Sequence, residues 1–157
     1  MNTAALDLII NHPLFRENLA KIKQKELNRL YCRHDLEHLL AVARLGYIIN
    51  LEEDLKVEPT LIYAAALLHD LGKAQDTADH AQRSGELAAV ILPQCGFSGA
   101  DTAQIITAIK AHRQASDQGA LAYILYKADK KSRSCFSCSA QSSCNWSDEK
   151  KNLHLWR

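Results

Sequence analysis

His69 and Asp70 stand side by side at the end of an apolar run and are followed by Leu71, Gly72 and Lys73. An imidazole nitrogen and a carboxylate oxygen on one backbone turn are two metal ligands, and His38, His80, His112 and Asp129 add donors of the same kinds. Nitrogen and oxygen donors without thiolate suit Fe, Mn, Co, Ni, Zn or Mg, held as one ion or two. The run Tyr63 to Leu68 predicts that the His69 ring is withdrawn from water. Asp70 beside it is then a costly buried charge unless it is paired or metal-bound. His12 before Pro13 and His154 near the C terminus read instead as isolated surface histidines. The pattern as a whole is that of a metal-dependent enzyme.

The elements that must position these residues are helical, because apolar residues recur at three and four positions and no alternating β-branched run is sustained. An all-α protein follows. Residues 4–11 predict a short amphipathic helix, and Pro13 opens a longer one carrying Leu14, Leu19, Ile22, Leu27 and Leu30 that ends near Tyr31. From Asp35 to about Leu51 a face of Leu36, Leu39, Leu40, Ala43, Tyr47 and Ile48 predicts a third, with His34 and His38 on one face if it begins early enough. Pro59 and Thr60 open a helix apolar nearly all round, hence central and buried, with Gly72 as a terminator after it. Asp79 predicts a cap for a helix starting at His80 and stopping before Pro93. A helix from Ser98 or Gly99 to about His112 and one from Ala120 to Lys131 complete the set. The candidate ligands therefore fall at or near helix ends, where chain reversals in a bundle bring remote segments to one mouth.

At 157 residues with 47% hydrophobic content, the chain makes one domain with its own core. Lysine and arginine total 19 against 18 acidic residues, a net charge of +1, which gives no broad footprint for a nucleic acid polymer or an acidic membrane. No stretch of 18 apolar residues and no basic-then-apolar leader is present, so a soluble, cytoplasmic protein is expected. Oligomeric state has no readable signal.

The set His38, His69-Asp70 and Asp129 resembles the H…HD…D signature of the HD-domain superfamily of metal-dependent phosphohydrolases. His38 to Arg44 is similar to that family's first-histidine helix, Ala65 to Lys73 to its HD block, and Lys127 to Lys130 to its closing aspartate. The likeness spans about residues 34–133. His80 and His112 resemble the two extra histidines of the dinuclear branch, in which six protein ligands hold two metals. The resemblance implies a compact helical bundle with Asp70 as bridging ligand, and a metal-activated water attacking phosphorus in a small phosphorylated metabolite or nucleotide. It implies Asp70 and Lys73 as catalytic groups, with His34, Lys73 and Arg133 toward the substrate; His34 as a helix cap, and Lys73 and Arg133 as ordinary solvated basic residues, are the alternatives. Two other readings stay open: a di-iron oxygenase with the same ligand set, and a catalytically silent nucleotide-binding regulatory module.

Beyond Ser132 the composition turns to Ser, Cys, Gln and Asn, with Trp146 and Trp156 as the bulky anchors, and residues 134–157 read as an irregular extension. Five cysteines, three of them at Cys135, Cys138 and Cys144, argue against a paired disulfide framework. Cys135-x-x-Cys138 with Cys144 has the close-pair spacing of a thiolate clip for structural Zn or an Fe–S cluster, with Cys95, Cys32 or His154 as a fourth ligand. Three reduced thiols packed in the extension are the alternative.

Overall fold

The computed structural model of the chain describes residues 1–75, 78–113 and 117–155. Among these it holds seven α-helices and no strand: α1 (Thr3–Asn11), α2 (Pro13–Lys25), α3 (Leu36–Glu52), α4 (Pro59–Leu68), α5 (His80–Gln94), α6 (Gly99–Ala111) and α7 (Ala120–Lys131). Short 3₁₀ turns follow α4 at Leu71–Gln75 and α7 at Cys135–Ser137 and Gln141–Ser143. No helix is long and apolar enough to cross a membrane. Trp156 lies outside the described residues.

Most helix starts are written locally. Asp35 accepts a hydrogen bond from the His38 amide at 3.1 Å, Ser98 from the Asp101 amide at 3.1 Å and Glu58 from the Leu61 amide at 3.3 Å. Each satisfies a donor that a helix N terminus leaves without an intrahelical partner. Pro13 and Pro59 sit where a missing amide hydrogen costs nothing. Helix α4 is buried on nearly every side and packs against α1, α3, α5, α6 and α7, as its all-round apolar pattern predicts.

Several expectations are corrected by tertiary contacts. Helix α2 ends at Lys25 rather than near Tyr31, leaving Leu27 and Leu30 exposed. The next residue, Glu26, turns its carboxylate to the backbone and ring of His34, so the chain leaves the helix there. The buried face of α3 is Leu39, Val42, Ala43, Gly46, Ile49 and Asn50; Ile48 is exposed. Helix α5 runs through Pro93 to Gln94, since a proline in the last turn removes little of the ladder. Gly96, at φ 84°, then closes the helix, with the Phe97 amide donating to the Leu92 carbonyl at 3.2 Å. Asp79 occupies the cap position of α5 without a side-chain capping bond.

Gly72 is not a left-handed terminator. It lies in the 3₁₀ turn, where an added Cβ would stand 2.2 Å from the His80 carbonyl oxygen and 2.8 Å from the Ser84 nitrogen. Its amide donates to Ser84 Oγ at 2.9 Å. The missing side chain lets the turn after α4 press against the start of α5, which sets the distance between Asp70 and His80.

Candidate metal centre

Five helix ends and one loop deliver the candidate residues to a single point. His38 sits in the first turn of α3, His69 caps the C terminus of α4 with Asp70 directly after it, and His80 is the first residue of α5. His112 caps the C terminus of α6, and Asp129 lies in the last turns of α7. His34 precedes α3 and so shares no helix face with His38, yet its loop returns it to the same place. Adjacent ring centroids along His34, His38, His69, His112 and His80 are separated by 5.6, 5.5, 5.0 and 5.3 Å.

Asp70 divides this chain of rings in two. Its Oδ2 lies 3.3 Å from His69 Nε2 and 3.7 Å from His38 Nε2, and both imidazoles also face Asp129 Oδ1, at 3.8 and 3.4 Å. Its Oδ1 lies 3.3 Å from His80 Nε2 and 3.7 Å from His112 Nε2. Two donor groups result, His38, His69, Asp70 and Asp129 on one side and Asp70, His80 and His112 on the other, sharing only Asp70.

These separations exceed the usual N–H···O range. Two ligands each about 2.1 Å from one ion stand about 3.0 Å apart at a right angle and about 3.4 Å apart at the tetrahedral angle. The cluster thus has the spacing of ligands around cations, not of groups bonded to each other. The Nε2 atoms of His38 and His69 are buried without a hydrogen-bond partner, as ligand atoms are when they await an ion. The opposite ring nitrogens of His69 and His112 donate to the Ala66 carbonyl at 2.7 Å and the Ile109 carbonyl at 2.5 Å, which turns each Nε2 inward. The residues therefore fit one or two divalent ions.

Without a cation, the charges settle among themselves. Burial pushes the His69 imidazole down, but Asp70 and Asp129 outweigh it and carry that ring up to about 10. Burial and the neighbouring His69 charge push His112 down to about 3. Burial acts to raise Asp70 and Asp129, and the surrounding imidazoles overcome it, holding both well below the ordinary carboxylate range. The metal-free cluster thus holds a proton at His69, where an ion would otherwise sit.

A cavity of about 350 Å³ opens onto this centre. Besides metal-facing residues, its wall carries five cations, Arg29, Lys73, Arg113, Lys130 and Arg133, and two aromatic rings, Tyr31 and Trp146. Lys73 Nζ lies 3.6 Å from Asp70 Oδ1. Arg133 is not a solvated surface residue: its side chain is largely buried and pairs with Asp129 Oδ1 at 3.1 Å, with its guanidinium 5.9 Å from the centre of the Trp146 ring. Lys130 holds the other oxygen of Asp129 at 2.7 Å.

Four contributors have no sequence signal of their own. Glu26 accepts from the His34 amide at 2.7 Å and binds its ring Nδ1 at 2.5 Å, leaving Nε2 3.8 Å from Asp70 Oδ2. Ser132 Oγ bonds His38 Nδ1 at 3.3 Å. Arg29 and Arg113 reach the cleft from loops that only the fold brings near. Cys135, Cys138 and Cys144 stand beside the cleft, and neither donor group includes a cysteine.

Residues 35–134 match the HD domain family. An "uncharacterized protein" of Clostridium beijerinckii is 36% identical over 151 residues, spanning 94% of this chain and 96% of the relative. The crystal structure of a predicted HD superfamily hydrolase from an uncultured Thermotogales bacterium superposes with a TM-score of 0.58 at 29% identity, covering 83% of this chain and 74% of that one.

Proposed function

Because the chain belongs to the HD-domain family, we propose that it is a metal-dependent phosphohydrolase acting on a small phosphorylated metabolite or nucleotide. The observation that carries this reading is Asp70, whose two oxygens face separate imidazole groups at the floor of a cleft walled by cations. His38, His69 and Asp129 with Asp70 would hold one ion, and His80 and His112 with Asp70 a second. Divalent ions held there lower the pKa of bound water toward neutrality and draw charge from phosphoryl oxygens. Iron and manganese are the metals to test first among those the donor set accepts.

The chain's own residues account for the rest of the reaction. Water adds to phosphorus, the bond from phosphorus to the leaving oxygen breaks, and the products are phosphate and the freed alcohol or shorter phosphate. Lys73 and Arg29 supply positive charge beside the floor of the cleft, where negative charge builds in the transition state. Arg133 and Lys130 are committed to Asp129 and so hold that carboxylate in its ionised, ligating form. His34, fixed by Glu26, has an Nε2 free to bond a phosphoryl oxygen. Tyr31 and Trp146 offer flat apolar surface for a base or sugar, and a cavity near 350 Å³ suits a compact substrate.

The test is anaerobic purification with elemental analysis, followed by phosphate release from mononucleotides, dinucleotides and sugar phosphates with Mn, Co, Mg and Fe. Release of phosphate without oxygen is expected. Turnover that requires oxygen and a mixed-valence iron pair would replace this reading with an oxygenase. Tight nucleotide binding without phosphate release under any metal would replace it with a regulatory module.

A further inference from the structure

Four of the five cysteines line one cavity beside the cleft. Cys32, Cys135, Cys138 and Cys144 share its wall with Arg133 and Lys151, while Cys95 is buried in the helical core at the end of α5. His154 is exposed and lines no part of it. Cys32 thus joins the Cys135-x-x-Cys138 pair and Cys144 from a loop about a hundred residues away in sequence.

Backbone bonds hold the four positions together. The turn Cys135–Ser137 closes with the Cys138 amide donating to the Cys135 carbonyl at 3.2 Å, and the next turn closes with the Cys144 amide donating to the Gln141 carbonyl at 3.3 Å. Gln141 Nε2 donates to the Cys135 carbonyl at 3.2 Å, folding the second turn onto the first. Across the cavity, Tyr31 Oη donates to the Ser143 carbonyl at 2.9 Å, tying the residue before Cys32 to the residue before Cys144. Arg29 Nε fixes the Cys32 carbonyl at 2.8 Å.

Burial alone does not account for the ordered extension. The buried core cluster ends at Ala128, and past it, among the described residues, the only buried hydrophobic is Cys135, with Phe136 and Leu155 exposed. Hydrogen bonds such as those from Asn152 Nδ2 to the Lys130 and Arg133 carbonyls, both at 2.9 Å, tie the extension to the bundle, and a cross-link would add what its small core does not supply. Two cations stand beside the four cysteines. The side chains of Arg133 and Lys151 are only 9% and 10% exposed, and Arg133 Nε is buried without a hydrogen-bond partner. Four thiolates around a dication carry a net charge of about −2, and Arg133, which pairs with Asp129, and Lys151, which pairs with Asp148 at 3.0 Å, are the cations that would stand beside it.

We propose that Cys32, Cys135, Cys138 and Cys144 bind a structural zinc ion that clips the C-terminal extension to the loop before α3. Each thiol gives up its proton to solvent on binding, and the sulfurs turn inward about χ1 to reach the ion. Four sulfur ligands leave no open position, so this zinc holds structure and performs no chemistry. It would fix Tyr31, Arg133 and Trp146, the far wall of the catalytic cleft. The proposal stands independently of the phosphohydrolase reading.

The test uses full-length Asp70→Ala protein, which lacks the shared ligand of the other centre, with zinc alone as the probe. About one equivalent of zinc is expected to remain after desalting and to leave on thiol modification, and Cys32→Ser in that background should lower retention at least about tenfold. Cobalt in its place should give thiolate-to-metal charge-transfer absorption. In the wild-type protein, zinc should slow alkylation of these four cysteines and leave Cys95 unchanged, a readout that needs no variant to fold. Alkylation of the four at the same rate with and without zinc, zinc retention unaffected by Cys32→Ser, or iron with acid-labile sulfide in the purified protein would each overturn the proposal.

Discussion

The histidine–aspartate centre and the cysteine-bearing extension lie against each other, yet they are positioned by opposite means. Every ligand of the first is carried on or next to a helix whose inner face is sealed in the core, and His69 is wholly buried. The second is arranged by hydrogen bonds across short turns, and no residue past Ala128 belongs to the buried core cluster. A site on packed helices keeps its geometry before its ion arrives, whereas one on turns acquires its geometry with the ion. The contrast fits a catalytic site that is preorganised and a wall that is fastened afterward.

The largest expected effect comes from removing the shared carboxylate. Asp70→Ala or His69→Ala should abolish metal retention at the histidine–aspartate centre and lower activity by more than the roughly 10²–10³-fold that one preorganised electrostatic contact supplies. The helical circular dichroism signal should stay, because neither side chain belongs to the apolar core. Unchanged metal stoichiometry in both variants would refute the ligand assignment and with it the contrast between the two regions.

Gly72→Ala probes how rigidly the first region is built. Its new Cβ would collide with backbone atoms of His80 and Ser84, so α5 must shift or the turn must distort. A loss of about 1–3 kcal/mol is expected, or roughly 2–12 °C in melting temperature. Metal affinity should fall as well, because the displaced segment carries His80. A variant that melts lower but binds metal unchanged would show that the centre tolerates movement of α5.

Acidity sharpens the same point. The metal-free His69 ring is carried up to about 10 by its two carboxylate neighbours against the pull of burial, so it is protonated across the neutral range. Ligation requires that proton to leave. His112, pushed down to about 3, is already neutral and releases none. Apparent metal affinity should therefore rise with pH by about tenfold per unit, or about 1.4 kcal/mol, and level off near the folded-state value of His69. Chelator competition across the neutral range measures the slope, and a flat profile would remove His69 from the ligands.

How far the sequence carries depends on whether a feature is local. Helices α6 and α7 were readable to within a residue, since Ser98 caps one and the periodicity of the other stops at Lys131. The end of α2 was not, because Leu27 and Leu30 continue the helical spacing while Glu26 is diverted to His34 by a contact that no spacing rule contains. The run before His69 announced its burial, and the helix-end positions of the ligands allowed a common mouth, but the choice of which residues meet from five helix ends needed the HD-domain resemblance. The sharing of Asp70 was implied by that resemblance, whereas the reason for Gly72 is a property of helix packing and becomes visible only in three dimensions.

The smallest effect tests the extension at its edge. Tyr31→Phe removes one hydrogen bond, from the phenol to the Ser143 carbonyl, and leaves the aromatic surface in the cleft. The bond is exposed, so its loss should cost no more than about 0.5–1.5 kcal/mol, and only in the local opening of the extension. Amide exchange near Cys144 should quicken by a factor of roughly two to ten, while exchange in the core of α4 and the global melting temperature stay unchanged. An equal rise in α4 would mean that extension and bundle open as one unit. The difference in how the two regions are held would then not survive as a difference in stability.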